Sequence, residues 1–181
     1  MSRLLCLLAL SFCVMQGVAA QENVEHEQQQ EADANAEATH QVSHLISQKF
    51  GVARDKAEQI SAAVMSAASK YSLPPALLLA IISIESRFKE KARGANGATG
   101  LMQVVPSAHK QLVRNIDLTE ATANIEAGSA ILHGYVKSAG GDVDAALKSY
   151  GGSKAYAQKV SLRAKSLAPQ VPGDDSLSLG N

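Results

Sequence analysis

From Val42 onward the apolar side chains recur every three or four residues. Val42, Leu45 and Ile46 form one stripe, and Ile60, Val64, Ala67 and Tyr71 form another, the spacing that brings side chains onto one face of an α-helix. Gly51 parts these two helices. A third is opened by Ser72-Leu73-Pro74-Pro75, because proline is tolerated in a first turn, where the backbone N–H groups have no intrahelical partner to lose. It should run from about Pro74 to Arg87. Residues 90–100 (EKARGANGATG) hold three glycines and no apolar period, which marks a loop. Further helices are expected over 105–114, 123–138, 142–149 and 153–166, the last two parted by Gly151-Gly152. No alternating run of strand length and no internal repeat appears, so the expected fold class is all-α.

The flanks differ from this pattern. In residues 1–20, Arg3 precedes an apolar run from Leu4 to Val14, and the segment closes on Val18-Ala19-Ala20, small residues where a signal peptidase reads. The run falls well short of the roughly 20 residues that span a bilayer. The expectation is a cleaved secretory signal, no stable membrane insertion and a periplasmic protein. Residues 21–40 are Gln, Glu and Ala, with six acids and no Lys or Arg. Such a composition buries too little surface to offset the entropy of ordering and is expected to be a disordered spacer, although Ala, Glu and Gln also favour a short helix. The globular domain is expected over 41–168, with 169–181, rich in Pro, Gly, Asp and Ser, as a loose tail.

Both cysteines, Cys6 and Cys13, fall inside the signal, so the mature chain has no thiol and rests on its core without disulfides. The formal net charge is zero, but from residue 41 onward sixteen basic side chains face eleven acidic ones. This modest excess suits an anionic polymer such as the cell wall. It is too scattered for nucleic acid, and the four Tyr and three Phe form no stacking series. The five histidines have no metal-ligand spacing and no serine sits in a G-x-S-x-G setting, so neither a metal nor a cofactor is expected.

Chemistry concentrates on the third helix. Leu78, Ile81, Ile82 and Glu85 fall at i, i+3, i+4 and i+7, so a carboxylate continues a stripe that apolar residues bury. Burial disfavours the charged carboxylate, and the negative end of a helix pushes the same way. Both raise the pKa towards the range in which a carboxylic acid can donate a proton near neutrality. On this pattern alone an exposed Glu85 paired with Lys89 is an equal reading. What favours the acid is the company it keeps: Ser86 beside it, a Gly-rich loop after it, and then Gly-Leu-Met-Gln.

These motifs, IESRF at 84–88, GATGLMQV at 97–104 and KSYGGS at 148–153, with Asn124-Ile125 and Gly128 between, resemble the soluble lytic transglycosylase family over about residues 42–166. The resemblance implies a lysozyme-like helical domain and cleavage of the β-1,4 bond between N-acetylmuramic acid and N-acetylglucosamine in peptidoglycan. Glu85 would act first as acid and then as base, closing the muramoyl 6-hydroxyl onto the anomeric carbon as a 1,6-anhydro sugar. One acid suffices for such an intramolecular attack, whereas ordinary glycosidases need two. Glu90, Asp117, Glu120, Glu126, Asp142 and Asp144 look like loop, cap or surface residues.

By the same resemblance, Ser86 would hydrogen-bond near the catalytic carboxyl, Gly100 would let the backbone approach the sugar, and Gln103 would bind an acetamido group. Met102 would offer a flexible apolar surface, although core filling is the stronger reading for a methionine taken alone. Asn124 joins this substrate-binding set. Tyr150 matches the family tyrosine beside the acid; Tyr156 matches a second, substrate-contacting aromatic or is a buried helix tyrosine. The family's Ala-Tyr-Asn appears as Ser149-Tyr150-Gly151, and the missing asparagine implies altered preference or lower activity. A hydrolase of the goose-lysozyme kind, a decayed glycan-binding scaffold and a helical adaptor are the competing readings. The expected partners are glycan strands, with residues 21–40 as a docking segment for a secretion, pilus or flagellar assembly, and the chain is expected to be monomeric.

Overall fold

The all-α expectation is met in the computed structural model, which describes residue 26 and residues 28–172; the signal segment and the tail from 173 lie outside the described residues. A compact unit begins at Ala38. Among its described residues seven α-helices build it: α1 (helical over residues 38–50), α2 (Arg54–Tyr71), α3 (Pro75–Glu85), α4 (Lys110–Val113), α5 (Ala121–Ser138), α6 (Val143–Gly151) and α7 (Lys154–Leu167). Among the described residues β-structure is limited to two isolated bridges, Arg93 to Thr99 and Thr99 to Val104.

The buried positions follow the apolar stripes. Val42 and Ile46 of α1 are fully buried, as are Ile60 and Val64 of α2. Ser72 ends α2 in the left-handed region with φ 51°, its N–H bonded to the carbonyls of Ala68 and Ser69. Proline then opens α3 as expected, and every residue from Pro75 to Ile82 is buried. A helix apolar on all sides belongs in the middle of a core. The side chains of Leu77, Leu78, Leu79, Ile81 and Ile82, at about 2 kcal/mol each, contribute about 10 kcal/mol before ordering entropy is set against them. Around α3 the packing closes on itself: α3 lies against α2 and α7, α2 against α5, α5 against α6, and α6 against α7.

Several boundaries depart from the sequence pattern. Helix α3 stops at Glu85, two residues early, because Arg87 and Phe88 take positive φ (51° and 62°) and turn the chain so that the Phe88 ring meets Phe50 at 4.6 Å between centroids. The helix expected over 105–114 shrinks to Lys110–Val113. Val104 is paired instead with Thr99 through two 3.0 Å backbone bonds, and Val105 precedes Pro106, which disfavours helical backbone. Helix α5 starts at Ala121, where the Glu120 carboxylate accepts from the N–H groups of Thr122 and Ala123 at 3.1 and 2.6 Å.

Residues 28–40, expected to lack fixed structure, are helical, and residues 28–37 are exposed throughout. Their Ala, Glu and Gln content has high intrinsic helix propensity, and Gln29 donates to Asp33 one turn on at 3.0 Å. At the other end the ordered domain passes residue 168 into a short 3₁₀ turn, Ala168–Gln170, and a buried Val171. No helix among the described residues is long and apolar enough to cross a membrane.

Candidate functional site

Glu85 is the last residue of α3, at the point where the buried stripe leaves the core. Its carboxyl pKa is raised above the ordinary glutamate value, chiefly by burial; the Tyr156 hydroxyl and the charge of Lys159 act in the opposite direction. Both come from α7, one turn apart. The Tyr156 hydroxyl is buried and makes no hydrogen bond of good geometry, yet it lies close enough to the carboxyl for each group to perturb the other. Burial, then the charge of Glu85, pushes the Tyr156 phenol up. It is held as a neutral O–H donor facing the acid.

Tyr150 approaches from α6. Burial first, and then the charge of Glu85, raises its phenol pKa, so this ring lies within the field of the acid. Its hydroxyl, however, donates to the Met102 carbonyl at 2.9 Å. Of the two tyrosines suggested by sequence, Tyr150 ties down the loop and Tyr156 addresses the carboxyl.

The Gly-Leu-Met-Gln segment is built around Asn124, which is 1% exposed. The Asn124 side chain accepts from the Met102 N–H at 2.7 Å and donates to the carbonyls of Thr99 (2.8 Å) and Leu118 (2.9 Å). Its amide is therefore engaged inside the protein, where sequence placed it on substrate. Gly100 has φ 81°, and a Cβ there would lie 2.1 Å from Asn124 Nδ2 and 2.3 Å from the Leu118 carbonyl oxygen. The close approach that requires a glycine is thus to Asn124, not to a sugar.

Gln103 also turns inward. Its Nε2 donates to the carbonyls of Gly100 (2.9 Å) and Ala92 (3.2 Å), and its Oε1 rests over Gly94, where a Cβ would come within 2.3 Å. Met102 is fully buried, which fits core filling. Gly128 makes room for it, since a Cβ there would meet the Met102 Sδ at 2.6 Å. The Ser86 hydroxyl donates back to the Ile82 carbonyl at 3.1 Å; it closes the end of α3 and is not bonded to the carboxyl. Ser86, Gly100, Met102, Gln103 and Asn124 are thus the frame that fixes the loop beside α3.

The six other acids weighed from the sequence have other work. Glu90 forms an ion pair with Lys56 at 3.1 Å, without the alignment of a hydrogen bond. Glu126 holds Lys70 and the Tyr71 hydroxyl, Asp142 caps α6, and Asp144 accepts from Ser161 at 2.7 Å. Asp117 accepts from Thr119, and Glu120 caps α5. Glu85 is the acid that continues an apolar stripe and has its pKa raised by burial.

Sequence reasoning missed Lys159, although its place three residues after Tyr156 on one helix face was a usable signal. It also missed Tyr135 and His109. Their rings lie 6.3 Å apart, Tyr135 meets Tyr150 edge-on at 6.5 Å, and with Gln103 and Val105 they line a hollow of about 40 Å³ beside Tyr150. A larger cleft, about 300 Å³, lies between α1 and the start of α2 and is lined by none of the residues around Glu85. Among the described residues no three His, Asp or Glu side chains gather as metal ligands.

The chain is similar to known proteins in sequence and in fold. The transglycosylase SLT domain family matches residues 62–170, more than half of the chain, and the chain belongs to that family. The transglycosylase of Enterobacteria phage PRD1 is 32% identical over 117 residues, which are 64% of this chain and 43% of that protein. The chain therefore spans less than half the length of that relative. An X-ray structure of an inactive mutant of lytic transglycosylase Slt from Pseudomonas aeruginosa superimposes with a TM-score of 0.53. The superposition covers 62% of this chain and 25% of that one, at 23% identity. The fold is accordingly the all-α, lysozyme-like domain of the lytic transglycosylase type.

Proposed function

We propose that this protein is a peptidoglycan lytic transglycosylase that acts in the periplasm and uses Glu85 as both acid and base. The observation that carries the reading is a single half-buried carboxyl with a raised pKa at the end of an otherwise apolar helix, in a chain of the transglycosylase SLT family. Protonated, Glu85 gives its proton to the glycosidic oxygen as the bond from the anomeric carbon of N-acetylmuramic acid breaks. The resulting carboxylate takes the proton of the muramoyl 6-hydroxyl, and that oxygen closes on the anomeric carbon. Glu85 is then protonated again, the products are a free 4-hydroxyl and a 1,6-anhydro end, and no water is consumed.

A raised pKa serves the first half of this cycle, because a carboxyl ionised at neutral pH has no proton to give. The second half needs the charged form to persist long enough to act as a base, and the Tyr156 hydroxyl and Lys159 both favour it. The attack is intramolecular, so binding has already removed most of the entropy of bringing nucleophile and carbon together. That economy fits a site with one acid.

The test is cleavage of purified glycan strands in water enriched in heavy oxygen, with the new ends examined by mass spectrometry. The reading expects anhydro ends free of the heavy isotope. Ends that carry it would mean hydrolysis and would overturn the transglycosylase assignment.

A further inference from the structure

Gly151 and Gly152 sit side by side at the junction of α6 and α7, for different reasons. Gly152 caps α6 at φ 76°, with nothing within 4 Å of a Cβ built on it; there the backbone conformation asks for glycine. Gly151 is the last residue of α6 and is helical, a conformation any residue adopts. Its constraint is steric. A Cβ on Gly151 would lie 2.1 Å from Tyr156 Cδ1, 2.2 Å from Cγ and 2.4 Å from Cε1, so the ring lies directly on the Gly151 Cα.

The ring cannot withdraw by a small adjustment. The Tyr156 N–H is bonded to the Ser153 hydroxyl at 3.1 Å in the cap of α7, which fixes the backbone from which the ring projects, and α7 packs along α3. At the far end of the ring, the buried hydroxyl makes no hydrogen bond of good geometry and lies near enough to Glu85 for each group to perturb the other. We propose that Gly151 is a positioning residue for the Glu85 carboxyl: its missing side chain seats the Tyr156 ring on the end of α6 and so directs the phenol hydroxyl at the acid. This inference rests on the reading of Glu85 as the reacting acid. It gives a physical role to the position where the sequence departs from the family pattern, since any β-carbon at residue 151 would occupy the place of the ring.

A buried O–H that can donate to a carboxylate stabilises its charged form. Seated by Gly151, Tyr156 keeps Glu85 able to release its proton as well as hold it. The groups that face Glu85 are Tyr156 and Lys159 from α7 and Tyr150 from α6.

The experiment is a titration of the Glu85 carboxyl by carbon-13 NMR in the whole protein without substrate, for wild type, Tyr156→Phe, Gly151→Ala and the double variant. Tyr156→Phe should move the midpoint upward, Gly151→Ala should move it the same way, and the double variant should match Tyr156→Phe alone. An unmoved midpoint in Tyr156→Phe, or in Gly151→Ala, or additive shifts in the double variant, would overturn the proposal. Thermal melting gives a second measure. Gly151→Ala should lower the Tm in wild type and much less in a Tyr156→Ala background, where the ring is gone; equal losses would also overturn it. Because these readouts need no substrate, they stand apart from the activity test: a Glu85→Gln variant that still cleaves glycan would refute the acid and leave the titration result intact.

Discussion

Replacing Asn124 by alanine removes three hydrogen bonds that span the loop from residue 99 to residue 118. The Met102 N–H loses its acceptor and the Leu118 carbonyl its donor, while the Thr99 carbonyl keeps the Val104 N–H, all around a side chain that is 1% exposed. A buried polar group left without a partner costs about 1–3 kcal/mol. Taking the lower figure, because truncation leaves space that a water molecule can enter, the two groups left without a partner give about 2 kcal/mol. For a domain of this size that is a fall in Tm of roughly 7 °C. Urea unfolding followed by far-UV circular dichroism would measure it, with Asn124→Asp as a companion that keeps the acceptor and loses the donors. A loss below about 1 kcal/mol in Asn124→Ala, accompanied by a large drop in activity, would refute the loop-clamp reading and return Asn124 to the substrate.

Two further outcomes follow from the same geometry. Gly128→Ala drives a methyl group to within 2.6–2.7 Å of the Met102 side chain and should cost about 1–3 kcal/mol by overpacking, measured by the same unfolding, with part of the loss recovered when Met102→Ala is added. Glu85→Gln should stabilise the protein at neutral and alkaline pH. The folded pKa of Glu85 lies above its unfolded value near 4.5, so the native state is destabilised as pH rises through the folded pKa. The advantage of the neutral amide should shrink as pH falls through that pKa and vanish near pH 4.5, which Tm measured across pH would detect; a variant less stable than wild type at pH 8 would contradict it.

The helices were legible in the sequence because their apolar stripes are local. Ile60, Val64 and Ala67 on α2, and Leu78, Ile81 and Ile82 on α3, announce their buried faces within a few turns, and Pro74-Pro75 announces the start of α3. Glu85 continues the α3 stripe as a charge, but the stripe alone suited an exposed pair with Lys89 equally, and Ser86, the Gly-rich loop and Gly-Leu-Met-Gln after it are what marked it as a candidate acid. The loop from 86 to 109 was not, since its form depends on Asn124, 25 residues beyond the Thr99 carbonyl that it binds. Without that partner visible, Gly100, Met102 and Gln103 read as groups facing a ligand, when their contacts are with the chain itself. The two tyrosines were found, but their tasks depend on how α6 and α7 meet. That meeting is set by Gly151 under the Tyr156 ring, a contact no periodicity reports.

On the proposed mechanism one carboxyl, Glu85, both breaks the glycan and closes the anhydro ring. The most direct measurement is digestion of purified sacculi by the protein beside its Glu85→Gln variant, with the released muropeptides identified by mass spectrometry. The wild type should release anhydro-muropeptides and the variant none. Release of anhydro products by Glu85→Gln at the wild-type rate, or of reducing ends alone by the wild type, would contradict that mechanism.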